Sequence, residues 1–500
     1  MRGGAARRLG ALNGSIASVA SIASTVVILG AVLLAPASSA GVILVKSAVP
    51  CARGPISVPG EAGGIHWAQT TTCGDQTGTQ GGGGPATPPS APYRYFPPLS
   101  YFGGKVAGPQ GSPGSLTVTP VYWVPAGSRY SMPASYENLI NQFIADASVD
   151  NGAVNNVFAA LTQYTDATHT RIQPQIAAGP PVTDSSPFPA SSCIPDTGTI
   201  WKDGTTYSKC ITNDQLVTEA KSFTTANGLP NQDLAHLYLY FLPEGVETCL
   251  GNSNGASGGI CSINANPGFC GYHAFIAPPL VANFNFAVVD SPTNHWTCSS
   301  DAGSNTGGNQ SPSNNIAADT EIGVVSHEIS ETITDPTGGA WLDSHGFEVG
   351  DECAYIYGDS STFQGPPGRY FNQTIHNHHY FIQEEFSNDD FHATASHAYS
   401  CIAGEDWVKL GRTSGRPGTS VTATGGGFVS GEQVSVQYQT RLASPLTVTL
   451  CTATTTGTGL FSCTGSIPSG AGAGPAGVHT VTAVGSLSSR APKVAFLLGS

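Results

Sequence analysis

The sequence predicts an α+β protein: a domain built round one metal-site helix, followed by an all-β sandwich. Three observations carry this expectation. The stretch Asp319 to Pro336, DTEIGVVSHEISETITDP, places Ile322, Val325, Ile329 and Ile333 at helical period and His327 and Glu331 one turn apart on one face. Apolar runs of strand-forming residues precede it. Beyond Val408 the chain changes to short alternating segments at regular spacing, the pattern of a β-sandwich.

The N-terminus sets the compartment. Arg7 and Arg8 precede an apolar run, Ile22 to Ala35, and then the small residues Ala37 to Ala40. This order is that of a secretory signal over 1–40, cleaved after Ala40. The competing reading is a membrane anchor, but the run is about 14 residues where roughly 20 are needed. The arginine pair hints at twin-arginine export in a weak context. The chain therefore reads as secreted, with no membrane segment after cleavage.

Composition agrees. Only 10% of the 500 residues are charged, with 62 glycines and 36 prolines, which suits a loop-rich extracellular protein of two or three domains. The net charge is −14, and loss of Arg2, Arg7 and Arg8 with the leader takes it to −17. A nucleic-acid partner is disfavoured, because phosphate binding needs a basic surface. Twelve cysteines in an exported chain favour disulfides. Cys51–Cys73, Cys193–Cys210 and Cys451–Cys463 are plausible local pairs, and six others remain open. No C-x-x-C occurs, which weighs against a cysteine zinc site.

In chain order, residues 41–94 have little pattern. Gly81 to Gly84 and then Pro85, Pro88 and Pro89 read as a spacer or pro-region. The main domain spans 95–405. Leu116 to Val124 is an alternating strand; Tyr136–Ala147 and Ala153–Thr162 are amphipathic helices. Asp214–Asn227 is a third helix, capped by Asn213 or Asp214 and closed by Gly228 and Pro230. Leu234–Leu242, Ala274–Ile276 and Phe284–Val289 read as strands. The Ser/Asn/Gly-rich loop 299–315 leads to the helix, whose start Asp319 or Thr320 can cap and which Pro336 ends. Trp341 reads as core, and Tyr380–Phe386 as a strand. Strands ahead of a His-Glu helix resemble the plan of zincin-like peptidase domains, a fold-level analogy.

The chemistry centres on His327-Glu328-x-x-Glu331. It is a variant of H-E-x-x-H, in which two side chains hold zinc and the intervening glutamate is general base. Glu331 can replace the second histidine, since zinc takes carboxylate oxygen as well as imidazole. A third ligand is required, and Glu348 or Asp351, three residues apart, can supply it. The other of the two can then support a ligand histidine. His376, His378 and His379 form a polar loop that can supply the third ligand or bind substrate, and His273 borders strands and can reach a cleft. The plain alternative for each is a solvated polar residue, and the three-residue motif alone is weakly specific. Two G-x-S-x-G matches, at Ser253 and Ser257, lack the strand and helix of a nucleophile elbow. The G-x-G-x-x-G from Gly472 to Gly477 is followed by a strand and no helix.

From 408 to 500, GTSVTATGGGF and GEQVSVQY resemble bacterial immunoglobulin-like modules, which implies a spacer or adhesion role and makes His479 a structural residue. A second resemblance covers about 100–402. His327-Glu-Ile-Ser-Glu331, Thr334-Asp-Pro336, Ala340-Trp341 and Glu348-x-x-Asp351-x-Cys353 resemble the EXORDIUM / phosphate-induced protein family and related secreted bacterial proteins. Cys270-Gly-Tyr-His273 and Gln383 to Asn388 are similar to stretches of the bacterial members. The resemblance implies an extracellular protein with a zincin-like site on His327 and Glu331, with Glu348 or Asp351 behind them. The expectation is a secreted metal-dependent hydrolase, a peptidase holding Zn2+, with Glu328 as general base and an extracellular protein or cell-wall substrate. Its rival is a non-enzymatic extracellular binding protein with a structural or vestigial metal.

Overall fold

The computed structural model describes residues 65–67, 98–108, 115–191, 193, 208–250, 260–262, 269–276, 284–289, 310–343, 346–358, 363–393, 400–429, 431–456, 459–488 and 490–499. The leader, Cys51, Cys73 and both G-x-S-x-G stretches lie outside these residues.

The class is mixed α and β, with few helices and many strands. Its centre is a sheet of seven strands: β1 (Ile65–Trp67), β2 (Ser115–Trp123), β3 (Gln175–Ala178), β4 (Val182–Asp184), β5 (His236–Phe241), β6 (Phe269–Ile276) and β7 (Phe284–Val289). Their order is β1-β6-β7-β5-β2-β3, with β4 also on β2. β2, β3, β4, β5 and β7 run parallel to their partners in the middle of the sheet, whereas β1 and β6 join antiparallel. The patternless segment 41–94 thus contributes an edge strand, which a reading of pure spacer does not anticipate.

Residue alternation explains why this sheet is covered on both sides. Leu116, Val118 and Tyr122 of β2 and Leu237, Leu239 and Phe241 of β5 enter one core. Val121, Trp123, Tyr238 and Tyr240, on the opposite face, enter another. Helices α1 (Ala134–Val149) and α3 (Ile316–Thr334) fill the first core through Ile140, Phe143, Ile144, Ile322, Val325, Ile329 and Ile333. Helix α2 (Asn213–Ala226) fills the second through Leu216, Val217, Ala220 and Phe223. The α2 cap is one residue earlier than the sequence suggests: Thr212 accepts from the Gln215 amide while the Gln215 side chain accepts from Thr212, a capping box.

Three local expectations are corrected. Helix α3 begins at Ile316, capped by Asn315, which accepts from Ala318 N. Asp319 is occupied elsewhere, accepting from Ser311 Oγ and from Ser313 N and Oγ. Residues 153–162 form no α-helix; a 3-10 turn runs Val157–Gln163. Of 380–386, only Tyr380 and Glu385–Phe386 pair in sheets.

From Trp407 the chain is all-β. A three-stranded and a five-stranded sheet enclose a third core, in which Val421, Ala423 and Phe461 meet Val434, Val436, Tyr438 and Phe496. His479 is structural, as expected: its ring nitrogens lie 2.8 Å from the Gln439 and Pro475 carbonyls, and it stacks on Tyr438. Arg490 Nε donates to Asp390 Oδ1 at 2.6 Å, tying this region to the preceding one. The expected disulfides Cys193–Cys210 and Cys451–Cys463 are present, and Cys353–Cys401 joins them. These three, whose cysteines are all among the described residues, fit an oxidising compartment. Among the described residues no helix is long and apolar enough to cross a membrane.

Candidate metal centre

Helix α3 is buried almost all round, not on one face. His327, Glu328 and Glu331 are each 0% exposed. Polar side chains on a helix usually face water, so this face must be met by partners from other elements. Two elements supply them.

The first is the turn that follows α3. Asp335 closes the helix, its amide bonding Glu331 O, and its Oδ1 accepts from Gly339 N. The chain returns through Trp341, which packs tilted against Tyr101 and edge-to-face against Tyr164, to the segment Glu348–Cys353. There Asp351 Oδ2 accepts from Glu348 N at 3.2 Å, and Asp351 N donates to Glu331 Oε1 at 3.0 Å. Cys353–Cys401 anchors the end of the turn. His327 Nε2 lies 3.0 Å from Glu331 Oε1 and 3.7 Å from Asp351 Oδ1.

The second element is β6, against which α3 packs. Tyr272 and Ala274 belong to the core on the far side of the sheet, so His273 between them points at α3. Its Nδ1 is 3.4 Å from Glu328 Oε2 and 3.5 Å from Glu331 Oε2, and its Nε2 is 3.5 Å from Glu348 Oε2.

Two groups result, His327–Glu331–Asp351 and His273–Glu328–Glu331, in each of which the candidate ligand atoms lie within 4.8 Å of one another. A zinc-sized ion binds nitrogen and oxygen at about 2.0–2.2 Å, so tetrahedral ligands stand roughly 3.3–3.6 Å apart. The observed separations bracket that range, and the donors are imidazole and carboxylate. Both groups therefore fit a divalent ion. The third group of possible ligands, Cys193, Cys210 and Cys249, does not, because these cysteines are disulfide-bonded.

Electrostatics point the same way. Burial is the largest influence on Glu328, Glu348 and Asp351 and pushes each carboxyl up. Burial would also raise Glu331, but the His327 charge and then His273 outweigh it and hold Glu331 at about 2. Burial would lower His327, but Glu331, Glu328 and Asp351 outweigh it and raise the imidazole to about 10. His273 is raised in the same way, chiefly by Glu348. The centre holds more carboxylates than imidazoles, so it calls for cations, either protons or metal.

A third contact fixes the His327 ring. Gln383 Nε2 donates to Gly350 O at 2.8 Å and lies 3.1 Å from His327 Nδ1. With its pKa raised to about 10 the ring carries a proton on each nitrogen: Nε2–H faces Glu331 and Nδ1–H faces the Gln383 amide. A cation held through Nε2 would displace the proton there and leave the one on Nδ1, for which the Gln383 amide oxygen would be the acceptor.

The sequence-derived residues thus divide. His327, Glu328, Glu331, Glu348 and Asp351 converge, with Asp351 beside His327 and Glu348 beside His273. His273 joins them as a candidate ligand rather than as a contact to substrate. His378 does not join them among the described contacts: it sits half-exposed on a hairpin, its Nδ1 2.7 Å from Asp146 Oδ2, which Tyr380 OH also bonds. Sequence reasoning did not single out Gln383, Gly350 or Asp335. The stretch Gln383–Asn388 contains one of them, but nothing in its pattern marks a glutamine as the residue behind a histidine.

No protein-family model matches the chain, and no curated protein matches it. Fold and site together define, at a coarse level, a disulfide-bonded mixed α/β protein with buried histidine–carboxylate groups able to hold a metal ion.

Proposed function

We propose that the chain is a secreted metal-dependent hydrolase, acting as a peptidase on extracellular or cell-wall protein, with Zn2+ held by His327, Glu331 and Asp351. The observation that carries this reading is the convergence of His327 Nε2, Glu331 Oε1 and Asp351 Oδ1 beside Glu328, a carboxylate that this trio does not use. The one-nitrogen, two-oxygen donor set suits zinc and admits other divalent ions. The zincin-like plan of 95–405, the immunoglobulin-like module of 408–500 and export by 1–40 belong to the same proposal. So does the resemblance to the EXORDIUM / phosphate-induced family, which rests on the quoted motifs.

A bound cation supplies polarisation of a carbonyl and lowers the pKa of water. Glu328 receives the proton that water gives up and returns it to the leaving amine. Two carboxylates in the trio soften the cation's pull on water, so the proton acceptor matters more here than at a site of three histidines. His273 Nδ1 lies 3.4 Å from Glu328 Oε2. Gln383 and Asp351 N hold His327 and Glu331 in place.

The test is hydrolysis of a mixed protein substrate by the Zn2+-loaded chain, with and without Glu328→Gln. Loss of about 100-fold or more in kcat with metal retained is expected; undiminished activity in the variant would sink the mechanism. One observation favours a second reading, a binding protein with a structural metal: His327, Glu328, Glu331 and Glu348 are all 0% exposed. That reading expects no hydrolysis and a large fall in melting temperature on chelation.

A further inference from the structure

The His273–Glu328–Glu331 group stands beside the first trio and shares Glu331 with it. We infer that it is a second divalent-cation position, and that Glu331 bridges the two. This rests on the metal-site reading above and extends it to a two-ion centre.

The distances are longer than a short, strong hydrogen bond and match the spacing of ligands round one ion. His273 Nδ1 stands 3.4 Å from Glu328 Oε2 and 3.5 Å from Glu331 Oε2. An N–H donating to oxygen settles at about 2.7–3.2 Å. Ligands round one tetrahedral ion settle near the spacing observed. Glu328 is 0% exposed, and His273, 3.4 Å from its Oε2, is its charged partner on this side. A fully buried carboxylate carries a large desolvation cost unless a cation meets it.

The far side of the His273 ring is prepared for the same role. Its Nε2 lies 3.3 Å from the Asp335 carbonyl and 3.5 Å from Glu348 Oε2. Acceptors face both ring nitrogens, so the carboxylates favour a ring protonated on both; a cation would take the place of the Nδ1 proton while Nε2–H keeps its acceptors. A ligand histidine backed by a carbonyl or carboxylate on its other nitrogen is the usual arrangement at metal sites.

Glu331 joins the two groups. Its Oε1 faces His327 and its Oε2 faces His273. A carboxylate with one oxygen in each of two ligand sets is the geometry of a bridge between ions about 3.5–4 Å apart. Charge is compatible with it: Glu328, Glu331 and Asp351 are three carboxylates, and Glu348 adds a fourth within reach of His273. The donors, imidazole and carboxylate, select first-row divalent ions such as Zn2+ or Mn2+. In the two-ion state Glu328 Oε2 is a ligand, and Oε1 remains as the proton acceptor.

The test uses the full mature chain, stripped with a chelator and equilibrated by dialysis against Mn2+. Elemental analysis should give two ions per chain, falling to one in His273→Ala and to one in His327→Ala. Electron paramagnetic resonance of the unmodified, fully loaded protein should show an exchange-coupled manganese pair, a readout that needs no variant to fold. One ion per chain, lost in His327→Ala and kept in His273→Ala, with an uncoupled manganese spectrum, overturns the second position while leaving the first intact. No bound ion at all overturns both.

Discussion

Gly350 lies so close to His327 that a Cβ placed on it would come within 2.7 Å of the imidazole Nδ1. The residue is needed for this approach, not for its own backbone torsions. Gly350→Ala should therefore push the ring off its position. The expected cost is about 1–3 kcal/mol of stability from overpacking, together with weaker metal binding. Chemical denaturation and metal titration of the variant measure both. Unchanged affinity would show that the ring is not held where the metal needs it.

Gln383 should act through His327 alone. Gln383→Leu removes the partner of Nδ1 while keeping the volume close to that of the parent. Metal affinity should fall by about 10–100-fold, while the hydrolytic rate at saturating metal changes little. An affinity equal to the parent's would remove Gln383 from the centre.

Asp335 gives a pH test of the metal-free protein. Burial raises its carboxyl from 3.8 to about 6, against the backbone N–H groups of Gly339 and Ala340 that favour the charged form. A carboxyl raised in the folded state binds more protons there than in the unfolded chain. Stability is then fully present below about pH 4 and declines as pH climbs to about 6. Asp335→Asn keeps an acceptor for Gly339 N and removes the titration. It should match the parent near pH 4 and exceed it above pH 6 by up to about 3 kcal/mol. Parallel stability curves for the two proteins would exclude the effect.

The Cys353–Cys401 disulfide fixes the turn that carries Asp351. With its cysteines 48 positions apart in sequence, replacing both by serine should destabilise the chain by about 2–4 kcal/mol. It should also loosen Asp351 and weaken the first metal position more than the second. Equal loss at the two positions would place the disulfide's effect on the fold as a whole.

What the sequence showed depended on how local each signal was. The α3 helix was legible because Ile322, Val325, Ile329 and Ile333 mark its period and His327 and Glu331 its face. The Glu348/Asp351 pair was legible as a second half, although which one meets His327 depends on a turn held by Asp351 N and Glu331. His273 was visible only as a histidine near strands. Its role comes from the packing of β6 on α3, a long-range relation that no spacing encodes. The helix start was misplaced because Ser311 and Ser313 take the Asp319 carboxylate and leave the cap to Asn315. Gln383 lay in a stretch expected to be a strand, where its side chain was given no partner.

The most direct measurement is anomalous diffraction at the zinc edge from crystals of the Zn2+-soaked mature chain. A peak about 2.0–2.2 Å from His327 Nε2, Glu331 Oε1 and Asp351 Oδ1 is expected. Crystals of a Zn2+-saturated protein with no anomalous density between these three atoms would contradict the metal centre.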